Sequence, residues 1–233
     1  DNIRAEFRID NLQPWYEVDG APDILYLSQQ DRIDRDSAVF GELSFDLTDK
    51  LKLTGGIREF KVDNTLFGFF GFNDNGSHGT GEALCPHDAS GNVIRDDPST
   101  GRPCVNTNKR LTESGETHKV NLTYQIDPDR MIYATYSTGF RPGGNNRKPI
   151  VQSWKADTLT NIELGWKTSL LNRRLRFNGA VFLEKWKDAQ ASIQGLNGIT
   201  SIVNADTAES KGFETEITWL ALENLTLSLS GTY

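Results

Sequence analysis

The chain has 233 residues, a formal net charge of −7 and a hydrophobic fraction of 36%, with a mean hydropathy of −0.51. No stretch approaches the roughly 20 apolar residues of a membrane-spanning helix, and acidity without a basic stripe argues against a nucleic-acid partner. A β-barrel remains open, because it turns half of each strand towards a polar lumen.

In chain order, residues 1–36 give Ile24-Leu25-Tyr26-Leu27 as a strand top. The charge-rich Gln29-Gln30-Asp31-Arg32 that follows reads as an extracellular excursion entering a strand at Ala38. Period-two alternation then starts. Val39, Leu43, Phe45 and Leu47 share a face opposite Phe40, Glu42, Ser44 and Asp46, and Leu51, Leu53 and Ile57 alternate with Lys52, Thr54 and Arg58. Val120, Leu122, Tyr124 and Ile126 oppose Lys119, Asn121, Thr123 and Gln125. The strand over about 130–140 alternates too weakly for its faces to be assigned. Ile162, Leu164 and Trp166 oppose Asn161, Glu163 and Lys167; Leu175, Phe177, Val181 and Leu183 oppose Arg176, Asn178 and Glu184. Phe213, Ile217 and Trp219 oppose Glu214, Glu216 and Thr218, and Leu225, Leu227 and Leu229 close the series.

Tight turns at Thr48-Asp49-Lys50, Asp127-Pro128-Asp129, Leu171-Asn172-Arg173 and Ala221-Leu222-Glu223 join these strands in pairs. Longer connections, roughly 63–113, 141–156 and 188–208, fall at the opposite end, which is the layout of a transmembrane barrel. The expectation is an all-β antiparallel barrel segment of about eight strands of about 9–15 residues, long enough to cross a bilayer. A soluble sandwich would also alternate, but its strands are usually shorter. Phe45, Tyr124, Tyr133 and Trp219 near the tight turns are placed as an aromatic girdle at the membrane interface.

Chemistry-bearing motifs are sparse: there is no GxSxG and no P-loop. Cys85 and Cys104 share one polar stretch, which suits a disulfide in an oxidising compartment or two free thiols. His78 and His87 lie nearby, but the spacings match no zinc motif, so no metal is expected. Leu66-Phe67-Gly68-Phe69-Phe70-Gly71-Phe72 is either an apolar ligand surface, loop packing or the top of the preceding strand. Ligand contact is placed on Arg141, Asn145, Asn146 and Arg147, where polar, cationic loop tips suit an anionic ligand.

Tyr133-Ala134-Thr135-Tyr136-Ser137-Thr138-Gly139-Phe140-Arg141-Pro142-Gly143-Gly144 resembles the TonB-dependent receptors of Gram-negative outer membranes. Phe40–Leu51, Leu53–Arg58, Asn161–Thr168, Ala180–Gln190 and Lys211–Glu216 follow in the order and spacing of that family's barrel. The resemblance implies a barrel of 22 strands closed by an N-terminal plug, in contact with outer-membrane lipid. It also implies uptake of a small-molecule or chelate substrate, most often a ferric siderophore, with energy relayed by the TonB complex through that plug. No catalytic residue and no cofactor are implied. Residues 1–233 carry no plug and no TonB box, and about eight strands fall short of 22. The chain is therefore expected to be an internal piece of such a barrel domain, with 1–36 as extracellular loop and strand top. The alternative is a small, self-contained eight-stranded outer-membrane barrel with a structural or adhesive role.

Overall fold

A computed structural model describes residues 2–10, 18–72, 84–195 and 198–233. His78, Gly76, Gly79 and Gly81 lie outside the described residues. The strands are β1 (Asn2–Asp10), β2 (Ile24–Asp46), β3 (Leu51–Phe72), β4 (Thr107–Asp127), β5 (Arg130–Arg141) and β6 (Asp157–Leu170). They continue as β7 (Leu175–Lys187), β8 (Gln190–Gln194), β9 (Thr200–Asn204), β10 (Ala208–Leu222) and β11 (Leu225–Thr232). Nine of them form one antiparallel sheet in the order β1-β2-β3-β4-β5-β6-β7-β10-β11, while β8 and β9 make a separate hairpin.

Side-chain parity divides this sheet into two faces. Leu43, Phe45, Leu53, Ile57, Val120, Leu122, Tyr124, Ile132, Tyr136, Ile162, Leu164, Val181, Phe213, Trp219, Leu227 and Leu229 all point outward and are exposed. An exposed apolar face of this extent belongs against lipid rather than water. On β4 the outward positions Val120, Leu122, Tyr124 and Ile126 give way to His118, Glu116, Ser114 and Thr112. The same change occurs between Ile57 and Glu59 on β3, between Val39 and Ser37 on β2, and between Leu183 and Lys185 on β7. The apolar stretch covers about 7–9 residues, or about 20 Å of depth at a tilt near 40°, close to the roughly 25 Å band of an outer-membrane barrel. The inward face of the belt is largely polar, Phe40 and Phe182 aside, with Lys119 Nζ donating to Glu42 at 2.9 Å and the Tyr133 hydroxyl donating to Glu163 at 2.6 Å.

All four tight turns fall at one end. Leu51 N–H donates to the Thr48 hydroxyl at 3.0 Å, and Asp129 N–H to Asp127 at 3.0 Å, side-chain-to-backbone bonds that replace the ladder where the chain reverses. Leu171, Asn172 and Arg173 all take positive φ, a strained run for residues with a Cβ. Neighbouring turns are cross-linked: Lys50 reaches the Ile126 carbonyl at 2.9 Å, and Arg173 reaches Asp129 at 2.6 Å.

Two expectations are revised, for Gln29–Ser37 and for Tyr133, and the open alternative for Leu66–Phe72 is decided. The stretch Gln29–Ser37 is not an excursion but the continuation of β2, paired with β3 along its whole length and with β1 as far as Ile33. Its charges find neighbours above the belt (Arg32 with Asp34, Arg58 with Asp36), so charge there does not break the strand. Leu66–Phe72 is the top of β3, with Phe69 and Phe70 buried. Tyr133 faces the lumen and not the interface: the β4–β5 register sets it opposite Thr123, on the inward parity, while Phe45, Tyr124 and Trp219 point outward near the turns.

At the loop end, Cys85 and Cys104 are joined as a disulfide with Cα atoms 5.8 Å apart. Together with Val18, Ala21, Ile24, Leu27 and Phe69 they form a small buried core against the top of β2 and β3. His87 pairs with Asp19 at 2.8 Å within this knob.

Candidate functional site

Above the belt β4 and β5 part, and the connection 142–156 folds inward across the opening instead of standing out as a tip. Its base is a bridge between Gly144 and Trp154, whose backbones exchange hydrogen bonds of 3.0 Å. A Cβ on Gly144 would lie 2.5 Å from the Trp154 ring, and one on Gly143 would lie 2.4 Å from the Trp154 carbonyl oxygen, so only glycine closes the turn here. The Glu113 carboxylate accepts N–H groups from both ends of the loop, Gly143 at 3.0 Å and Ala156 at 2.9 Å. Lys109 Nζ donates to the carbonyls of Asn146, Lys148 and Val151 at 2.8, 2.6 and 2.5 Å. Burial pulls the Lys109 ammonium down to about 8.

The four residues singled out for ligand contact have different surroundings. Asn145 and Asn146 are buried. The Asn145 amide donates to the Asn64 carbonyl at 3.0 Å and accepts from Ser153 at 2.6 Å. The Asn146 amide donates to the Gln152 and Ile202 carbonyls and accepts the Ile202 N–H at 2.8 Å, joining the loop to the β8–β9 hairpin. Both side chains are thus occupied in holding backbone. Arg141 grips the buried Asp157, with Nη2 to Oδ2 at 2.5 Å, and lies 4.5 Å over the Trp186 ring. Arg147 is exposed, and among the described residues its guanidinium reaches only the Tyr26 hydroxyl, at 3.4 Å.

Arg147 overlooks a cavity of about 280 Å³ lined also by Phe7 of β1, Ser28, Gln30 and Arg32 of β2, Trp154, and Ser192, Thr200 and Ile202 of the hairpin. The indole N–H of Trp154 is buried with no acceptor among the described residues. The cavity is rich in donors and carries a cation without a carboxylate partner, an arrangement that favours an anionic ligand bearing acceptor oxygens. Lys109, Glu113 and Asn64 carry much of this site without being singled out by any sequence motif, and Gln30 and Arg32, read as part of an excursion, line the cavity from β2. The one available signal was parity: Lys109 and Glu113 continue the inward series of Lys119, Asn121 and Thr123 up β4.

A lipid-facing apolar belt, a largely polar inward face, tight turns at one end and an infolded loop at the other define a wall segment of an outer-membrane β-barrel. Residues 2–233 match the family described as TonB dependent receptor-like, beta-barrel. The chain belongs to this family and is a protein of the Gram-negative outer membrane. It is similar to a ferric-pyoverdine receptor of Pseudomonas putida, 28% identical over 116 residues that cover 46% of this chain and 14% of the relative. Its fold is similar to that of the ferric yersiniabactin uptake receptor of Yersinia pestis, with a TM-score of 0.63 and 19% identity over 90% of this chain and 28% of that one. The ferripyoverdine receptor of the Pseudomonas aeruginosa outer membrane gives a TM-score of 0.56 and 20% identity, covering 92% and 24%. The chain thus spans about a quarter of the two solved receptors and 14% of the curated relative.

Proposed function

We propose that this chain forms the ligand-capturing flank of a transporter that imports an anionic ferric chelate of the siderophore type. Capture takes place in the cavity that Arg147 overlooks, between the infolded loop, the upper part of β2 and the β8–β9 hairpin. Passage through the lumen follows when a plug, held elsewhere in the protein, is displaced with energy from TonB. The barrel in this reading has 22 strands, of which this sheet is one arc. The observation that carries the proposal is Arg147, an exposed cation with no carboxylate partner among the described residues, at a donor-rich cavity of about 280 Å³. Resemblance to receptors named for ferric pyoverdine and ferric yersiniabactin supports the substrate class.

The test is binding and uptake of radiolabelled ferric pyoverdine and ferric yersiniabactin by iron-starved cells producing the intact protein. Arg147→Gln is expected to weaken binding about tenfold, the loss of about 1.4 kcal/mol from one charge-assisted contact. Deleting TonB is expected to abolish uptake while sparing binding. Uptake that persists without TonB, or ferric chelates that bind equally well with and without Arg147, would refute the reading.

A further inference from the structure

On the reading that this flank captures a ligand, we infer that Lys109 and Glu113 of β4 are positioning residues that hold loop 142–156 in the posture presenting Arg147. Both stand above the apolar belt on the inward face, and the hydrogen bonds described for them all run to this loop. Glu113 gathers the two ends of the loop. Lys109 spans its tip, using all three ammonium hydrogens on carbonyls at Asn146, Lys148 and Val151.

The backbone around Arg147 is fixed from three directions. Lys109 holds the carbonyls on either side of it, and the Arg147 carbonyl itself accepts from Gln30 at 3.0 Å. Asn146 is tied to Ile202 in both directions. The Arg147 guanidinium is left outside this net, reaching only the Tyr26 hydroxyl among the described residues.

Drawing charged groups out of water is costly unless their partners are satisfied. Burial of Lys109, which pulls its ammonium down to about 8, runs against stability of the wall. The cost is consistent with a loop that must be held before the ligand arrives, so that binding does not have to order it.

The inference is tested by a nitroxide on Ile150→Cys at the exposed loop tip, read by electron paramagnetic resonance in the intact protein in outer-membrane vesicles, with ferric pyoverdine as the binding probe. The label is expected to be restricted in the parent and mobile in Lys109→Met and Glu113→Gln. Affinity for the probe should fall about tenfold if the posture is then populated about a tenth of the time. Lys109→Arg, which keeps donors within reach, is expected to restore both. Arg147→Gln should weaken the probe while leaving the label restricted, which separates positioning from contact. A label that stays restricted in both Lys109→Met and Glu113→Gln overturns the inference, as does a mobile label with unchanged affinity. A parent that binds no ferric pyoverdine counts against the functional reading for that probe, whereas a label mobilised by Lys109→Met still supports the posture.

Discussion

Arg141 at the start of the 142–156 loop and Arg147 within it have opposite electrostatic fates. Burial alone would raise the Asp157 carboxyl, but the Arg141 guanidinium and the Gln190 N–H hold it below the usual aspartate range. A carboxyl depressed in the fold contributes stability that is present above its unfolded value of about 3.9 and is lost as pH falls through the folded value. A label on Ile193→Cys in the β8–β9 hairpin should therefore remain ordered at pH 4 and loosen only in stronger acid. Asp157→Asn should loosen it at every pH, with a local cost of about 1–3 kcal/mol. An acid midpoint at or above that of an ordinary aspartate would refute this account. These fates were not legible in the sequence. Arg141 and Arg147 are both cationic residues in a Gly/Asn-rich run, and what separates them is Asp157 and Tyr26, brought up from 16 and 121 residues away.

At the scale of elements, strand parity was readable because lipid and lumen impose opposite chemistry on alternate residues. The same rule fails where water wets both faces, which is why the charged upper part of β2 reads as a loop. It also fails for Tyr133, whose ring suits either an interface or a lumen. The disulfide knob was legible as a cysteine pair in a polar stretch, but not as a core, since Val18 of the β1–β2 connection, Leu27 of β2 and Phe69 of β3 reach it from elsewhere in the chain. Replacing Cys85 and Cys104 by alanine opens a bridge with a sequence separation of 19, a loop whose closure is worth about 3 kcal/mol. Limited proteolysis within 84–106 is expected to rise sharply, while heat-modifiable migration in detergent, which reports the barrel, stays unchanged. Loss of heat-modifiability in this variant would show that the knob supports the wall itself.

Over the whole molecule, the belt makes two neighbouring residues differ in kind. Leu122 faces lipid and Thr123 faces the lumen. Leu122→Lys is expected to cost about 2–4 kcal/mol near the midplane and to lower the folded fraction on a detergent gel, whereas Thr123→Lys should leave it near that of the parent. Equal tolerance of both would refute the assignment of faces. The strands also differ in how far they run past the belt. β2, β3 and β4 continue for about a dozen residues, roughly 30 Å of extra height at a strand tilt near 40°, while β5, β6 and β7 stop within a few. Along this arc the rim is a parapet on one flank and a sill on the other. The sill carries the infolded loop and the β8–β9 hairpin that is joined to it through Asn146. The disulfide knob crowns the parapet, so along this arc the uneven strand lengths give the rim two edges of different height and different chemistry.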